Sequence, residues 1–293
     1  MEKIIAFFMA IIMFFAQLFG IKPLRQYKNV SYGEDRKQAI HLAIPFEAKG
    51  DCGMIVLVHG GGWAAGDKDD CWETAKSIAK EFDIVAVSVG YRLITPGGGV
   101  DCNAILDDIQ KGIEKAIEKS AQKGVNITKI GIGGFSAGGH ISLDYAYKCA
   151  DECPVPVEFV FSYAGPTDMN DENWFDSENL FTFEQLMFIM TELTGTEVTA
   201  ENKDSAEVQA ELAAISPISY ITPASVPTII LHGKQDNIVP FSNAETLDEL
   251  LTLNGVKHEF FIFENSGHGL SDDPETSVTA SSKLWDYINE YLK

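Results

Sequence analysis

The chain has 293 residues, 45% of them hydrophobic, and its 43 acidic and 22 basic side chains leave a formal charge of −21. The apolar fraction is that of a chain that folds around a core and is not disordered. The acidity excludes nucleic acid as a partner, because phosphates are repelled and no basic stripe offsets this; neutral substrates stay open.

Five cysteines, Cys52, Cys71, Cys102, Cys149 and Cys153, are scattered without a CxxC. An odd number at this density implies neither a disulfide framework nor a structural zinc, so packing as small hydrophobes is expected. No His, Cys and Asp residues stand at metal-ligand spacing, and neither metal nor cofactor is expected.

The predicted elements begin with Ile4–Phe19, apolar except for Gln17. Its length suits a signal-peptide core better than a full membrane span. Residues 1–24 are therefore expected to be a signal peptide or membrane anchor, with the protein secreted or anchored. Lys22, Arg25 and Lys28 follow, and under the positive-inside rule they favour a cytoplasmic side. Any membrane association is expected through this segment alone.

The folded domain is then expected over 25–293. Lys28–Tyr32 and Gln38–Ile44 read as strands joined by a hairpin turn. Met54–Val58 is a wholly apolar strand, Trp72–Phe82 a helix, and Ile84–Val89 a strand. Ala104–Lys119 reads as a helix with Ile105, Ile109, Ile113 and Ile117 on one face. Ile130–Gly133 and Val157–Ser162 are strands separated by a helix over Ala137–Ala150. Thr228–Leu231 and Glu259–Phe263 are strands around the helix Asn243–Leu253, and Val278–Leu292 closes the chain as a helix. Short apolar strands alternating with helices predict an α/β fold with a mostly parallel sheet covered on both faces. Residues 168–216 break the alternation with an acidic, Phe-rich insertion and a helix near Phe183–Leu193, and are expected to cap the site.

Three motifs carry chemistry. Gly134-Phe135-Ser136-Ala137-Gly138 lies between a predicted strand and helix, the setting in which G-x-S-x-G exposes a serine nucleophile on a sharp turn. His59-Gly60-Gly61-Gly62-Trp63 follows the strand Met54–Val58. A backbone without Cβ atoms lets the N–H groups of Gly61 and Gly62, with that of Ala137, converge on one developing oxyanion. The alternative, a phosphate-binding loop, lacks both the Lys-Ser/Thr and the G-x-G-x-x-G spacing. Asp236 follows the strand Thr228–Leu231, and His268 follows the strand Glu259–Phe263. The order Ser136, Asp236, His268 then supplies nucleophile, acid and base, each at the end of a strand. Asp168 is the rival acid, in a stretch that reads as a turn. Trp63 either lines a substrate pocket or covers the sheet edge. His59 is expected to brace its loop, and His140 and His232 to pack behind the site. His41 and His258 are expected to be structural, and Tyr91-Arg92 an internal brace.

With HGGGW, GFSAGGH, GYRL, GPTD, SPISYIT, HGKQDNIVP and SGHGL in order, the chain from about Tyr27 onward resembles the α/β-hydrolase-fold serine esterases. It is similar to the hormone-sensitive-lipase-like group, and more so to bacterial carbohydrate esterases of the acetyl xylan and feruloyl type. Phe135 departs from the lipase-like pattern, which usually has Asp before the nucleophile. The resemblance implies an eight-stranded sheet and a small-molecule or carbohydrate ester as substrate, with no cofactor. A prolyl-oligopeptidase-like peptidase, an arylformamidase and a non-catalytic binding module are the alternatives.

Overall fold

The computed structural model describes residues 22–176 and 178–293. The expected leader over Ile4–Phe19 lies outside the described residues. Eight strands form one sheet: β1 (Leu24–Ser31), β2 (Ala39–Pro45), β3 (Gly50–Val58), β4 (Val85–Val89), β5 (Val125–Phe135), β6 (Val157–Tyr163), β7 (Thr228–Gly233) and β8 (His258–Phe263). Their order is β1-β2-β4-β3-β5-β6-β7-β8. β1 and β2 pair antiparallel, as do β2 and β4; every later pair is parallel.

The helices are α1 (Trp72–Phe82), α2 (Cys102–Ala121), α3 (Ala137–Lys148), α4 (Phe183–Thr194), α5 (Ala206–Ala214), α6 (Phe241–Leu253) and α7 (Pro274–Tyr291). They divide between the two faces of the sheet, and the strands show why. Met54, Val56 and Val58 of β3 point into one buried cluster with Ile105, Ile109 and Ile113 of α2. Ile55 and Leu57 point into the other, with Trp72 and Ile78 of α1 and Leu284 and Ile288 of α7. A strand covered on both sides must be apolar at every position, and hence β3 shows no alternation.

Helix boundaries follow local chemistry. The Asp101 side chain accepts the Ala104 N–H at the start of α2. Thr182 and Gln185 form a capping box on α4, which ends at Gly195 with φ 71°. Pro274 opens α7 at its first position, where a missing N–H costs nothing. β1 begins at Leu24, earlier than the pattern predicts, and Leu24 packs against the second cluster.

Parallel strands share a direction, so the segments leaving β3, β5, β7 and β8 emerge on one edge of the sheet. They carry His59–Trp63, Ser136, Asp236 and His268. Segment 168–216 contributes α4, α5 and a short 3-10 turn at Glu172–Phe175, and Trp174 and Phe181 from it reach the same edge. Among the described residues no helix is long and apolar enough to cross a membrane.

Candidate active site

The turn from β5 into α3 is the centre of the site. Ser136 has φ 55° and ψ −123°, a conformation that a residue with a Cβ adopts only under constraint. The constraint is visible in the packing. Its N–H donates to the Tyr163 carbonyl at 2.8 Å, and its carbonyl accepts from His140 N–H at 3.1 Å. A Cβ on Gly138 would stand 2.2 Å from the Val58 carbonyl oxygen and 2.6 Å from that of His59. The nucleophile-type turn is thus seated directly on the backbone leaving β3, and only glycine permits that approach. Ala137 is the first residue of α3, so its N–H has no intrahelical acceptor and lies at the positive end of the helix.

The glycine loop after β3 is held from behind. Gly61 has φ 117° and Gly62 φ 57°, and the Gly61 carbonyl accepts from Ala64 and Ala65 N–H. His59 stacks on Tyr91, with ring centroids 4.2 Å apart, and its Nδ1 donates to the Gly60 carbonyl at 2.8 Å. The Tyr91 hydroxyl donates to the His59 carbonyl at 3.0 Å. Burial lowers the pKa of His59, which keeps the ring neutral. The expected bracing roles of His59 and Tyr91 match this geometry.

Trp63, with φ 58°, is 3% exposed; it lines the cavity and also packs in the first buried cluster. Its indole N–H donates to His140 Nδ1 at 3.2 Å. His140 Nε2–H in turn donates to the Ile215 carbonyl at 2.8 Å. His140 is fully buried, and burial lowers its pKa.

His268 Nδ1 lies 2.7 Å from Asp236 Oδ2. A carboxylate can only accept here, so Nδ1 carries the proton and Nε2 is left as the basic nitrogen. The Asp236 side chain is fully buried, and its Oδ1 accepts N–H bonds from Ile238 at 2.9 Å and Val239 at 3.0 Å. Burial alone would raise its pKa, but hydrogen bonds from His232 and His268 outweigh burial and hold it well below the usual carboxylate range. Asp168, the rival, stands elsewhere: its Oδ1 accepts from Asn170 N–H and its own N–H donates to Asn243. Burial raises its pKa.

Ser136 and His268 line one cavity of about 240 Å³ with Gly61, Gly62 and Trp63. Phe135, Pro166, Trp174, Phe181, Ile238 and Val239 make the rest of its wall apolar. Phe135 packs on the His268 ring at 4.9 Å between centroids. Among the described residues no hydrogen bond joins the Ser136 hydroxyl to His268, and such contacts are often loose until substrate binds. His232 is more than the packing residue the sequence suggests: its Nε2 lies 3.3 Å from Asp236 Oδ2. Position four residues before the acid was the only signal for it.

No group of His, Cys, Asp and Glu among the described residues could hold a metal ion. His41 and His258 hydrogen-bond Asp69 and Asp248 and lie outside the site.

The strand order, the antiparallel start and the strand-end placement of these residues define an α/β-hydrolase fold. The chain belongs to the BD-FAE family of α/β-hydrolases, whose model matches residues 40–251. A truncated form of a carbohydrate esterase from gut microbiota superposes with a TM-score of 0.71 at 20% identity, over 90% of this chain and 96% of that one. Isoprenylcysteine alpha-carbonyl methylesterase of Arabidopsis thaliana is 24% identical over 252 residues, 82% of this chain and 56% of that protein. A non-reducing polyketide synthase of Stereocaulon alpinum is 24% identical over 261 residues, 70% of this chain. The chain spans 10% of that synthase and about half of the methylesterase.

Proposed function

We propose that the protein is a carboxylic ester hydrolase that works through an acyl-enzyme on Ser136. The observation that carries this reading is the 2.7 Å Asp236–His268 bond, beside a conformationally constrained Ser136 and a glycine loop in one cavity. Ser136 Oγ attacks the ester carbonyl while His268 Nε2 takes its proton. Asp236 holds the imidazole in the correct tautomer and stabilises its cationic form. The N–H groups of Gly61, Gly62 and Ala137 donate to the tetrahedral oxyanion. His268 then protonates the departing alcohol, and water repeats the sequence to free the acid.

Short acyl groups suit the cavity of about 240 Å³, whose lining includes Trp174 and Phe181. Segment 168–216 acts in this reading as a cap. Similarity to a carbohydrate esterase and to a methylesterase supports acetyl, feruloyl or other small esters, with saccharide esters of plant polysaccharide as one substrate. Residues 1–24 are proposed to export or anchor the protein.

A panel of p-nitrophenyl esters from acetyl to long acyl chains, acetylated xylan, methyl ferulate, N-formylkynurenine and a prolyl anilide tests the reading. Hydrolysis of the short esters, abolished in a folded Ser136→Ala variant, is expected. Loss of a triad nucleophile can cost on the order of 10⁶ in turnover. A folded variant of near-normal activity would remove Ser136 from the mechanism, and cleavage of the anilide or formamide alone would move the activity to one of the alternatives.

A further inference from the structure

His232 is the penultimate residue of β7, four residues before Asp236, is 1% exposed and packs edge-on against Phe241. Its Nε2 stands 3.1 Å from the Val239 carbonyl oxygen and 3.3 Å from Asp236 Oδ2. Both neighbours can only accept, so Nε2 carries a proton that lies between them. Oδ2 therefore receives two imidazole N–H groups, from His268 at 2.7 Å and from His232 at 3.3 Å. Oδ1 receives two backbone N–H groups from the same turn.

We infer that His232 is a positioning residue for Asp236. It ties the carboxylate to the backbone of its own loop through Val239 and sets how much negative charge Oδ2 presents to His268. This rests on the assignment of Asp236 and His268 as acid and base. A carboxylate oxygen that shares its charge with a second donor holds the His268 proton less tightly. Remove that donor, and Asp236 attracts the His268 proton more strongly while being less firmly fixed.

Asp176, Glu178, Lys234 and Glu245 are the other charged residues of the groove that Asp236 also lines. Lys234 is paired with Glu264, and Asp273 with Ser266 and Asn265. His232 and His268 are the titratable side chains that hydrogen-bond Asp236.

The test compares His232→Leu, which removes the donor, with His232→Gln, whose amide nitrogen can reach the position of Nε2. Steady-state kinetics on p-nitrophenyl acetate are followed from pH 5 to 9, with circular dichroism melts to establish folding. In His232→Leu, kcat is expected to fall on the order of tenfold with KM nearly unchanged. The acid limb of the kcat/KM profile is expected to move up by roughly half a pH unit. His232→Gln should recover most of both. An unchanged acid limb in a folded His232→Leu variant overturns the inference, as does a Gln variant no better than Leu. Asp236→Asn is the control. If it is nearly as active as the wild type, the acid itself is misassigned. If it is crippled while both His232 variants are normal, only the role of His232 fails.

Discussion

At the scale of single residues, the competition between Asp236 and Asp168 is decided by reach. Of the two, it is Asp236 that bonds the His268 ring, and the Asp168 carboxylate is occupied by its own turn. Asp236→Asn is therefore expected to lower kcat by about 10⁴, because an amide stabilises the wrong imidazole tautomer. Asp168→Asn should stay within a few-fold of the wild type, as measured with p-nitrophenyl acetate. Gly138 makes a second residue-scale prediction. Its Cβ would meet two backbone carbonyl oxygens at 2.6 Å or less, and backbone cannot move aside as a side chain can. Gly138→Ala should cost about 2 kcal/mol or more and lower Tm by several degrees in a scanning melt. Much of this detail was legible in the sequence, since HGGGW and GFSAG name the chemistry through residue types that few other contexts require. His232 was not, because its part depends on where Val239 and Asp236 fold back, and spacing alone does not carry that.

At the scale of elements, apolar runs marked the strands from β3 to β8, and the structure extends some of them. β3 begins at Gly50 where the run begins at Met54, and β5 begins at Val125 where the pattern suggested Ile130. These extensions are polar or mixed residues whose pairing is set by neighbouring strands, so hydrophobicity alone could not show them. Segment 168–216 was legible as an interruption but not as a shape. Its approach to the cavity depends on the strap Asn179–Phe181. Leu180 N–H donates to the Asn237 carbonyl at 2.7 Å, and the Phe181 ring stands over Gly62. Phe181→Ala should enlarge the cavity on the side of Gly62. The ratio of kcat/KM for p-nitrophenyl octanoate to that for the acetate should rise at least several-fold, since each extra buried methylene contributes about 0.8 kcal/mol. An unchanged ratio would place the acyl chain elsewhere.

At the scale of the whole molecule, carboxylates held ionised by their partners set the acid limit of stability. Asp236 and Asp67 both have pKa values well below the usual carboxylate range. In each, burial opposes ionisation but hydrogen-bonding partners prevail: two histidines for Asp236, and Lys37 and Lys68 for Asp67. A depressed folded-state pKa gives stability that is fully present above the unfolded value, 3.8 for Asp, and is lost as pH falls below it. Tm should therefore hold from neutrality to about pH 4 and drop steeply beneath it. The difference in Tm between wild type and Asp236→Asn should narrow over that same interval, as read by differential scanning calorimetry.

The seat of the β5–α3 turn on the end of β3 has a consequence for engineering. Two segments far apart in the chain share one interlocking surface of bare backbone, so neither tolerates a partner cut to another shape. A chimera that borrows the Gly134–Gly138 turn from a relative must borrow Val58–Gly62 with it. The two segments are the natural unit of exchange in this scaffold.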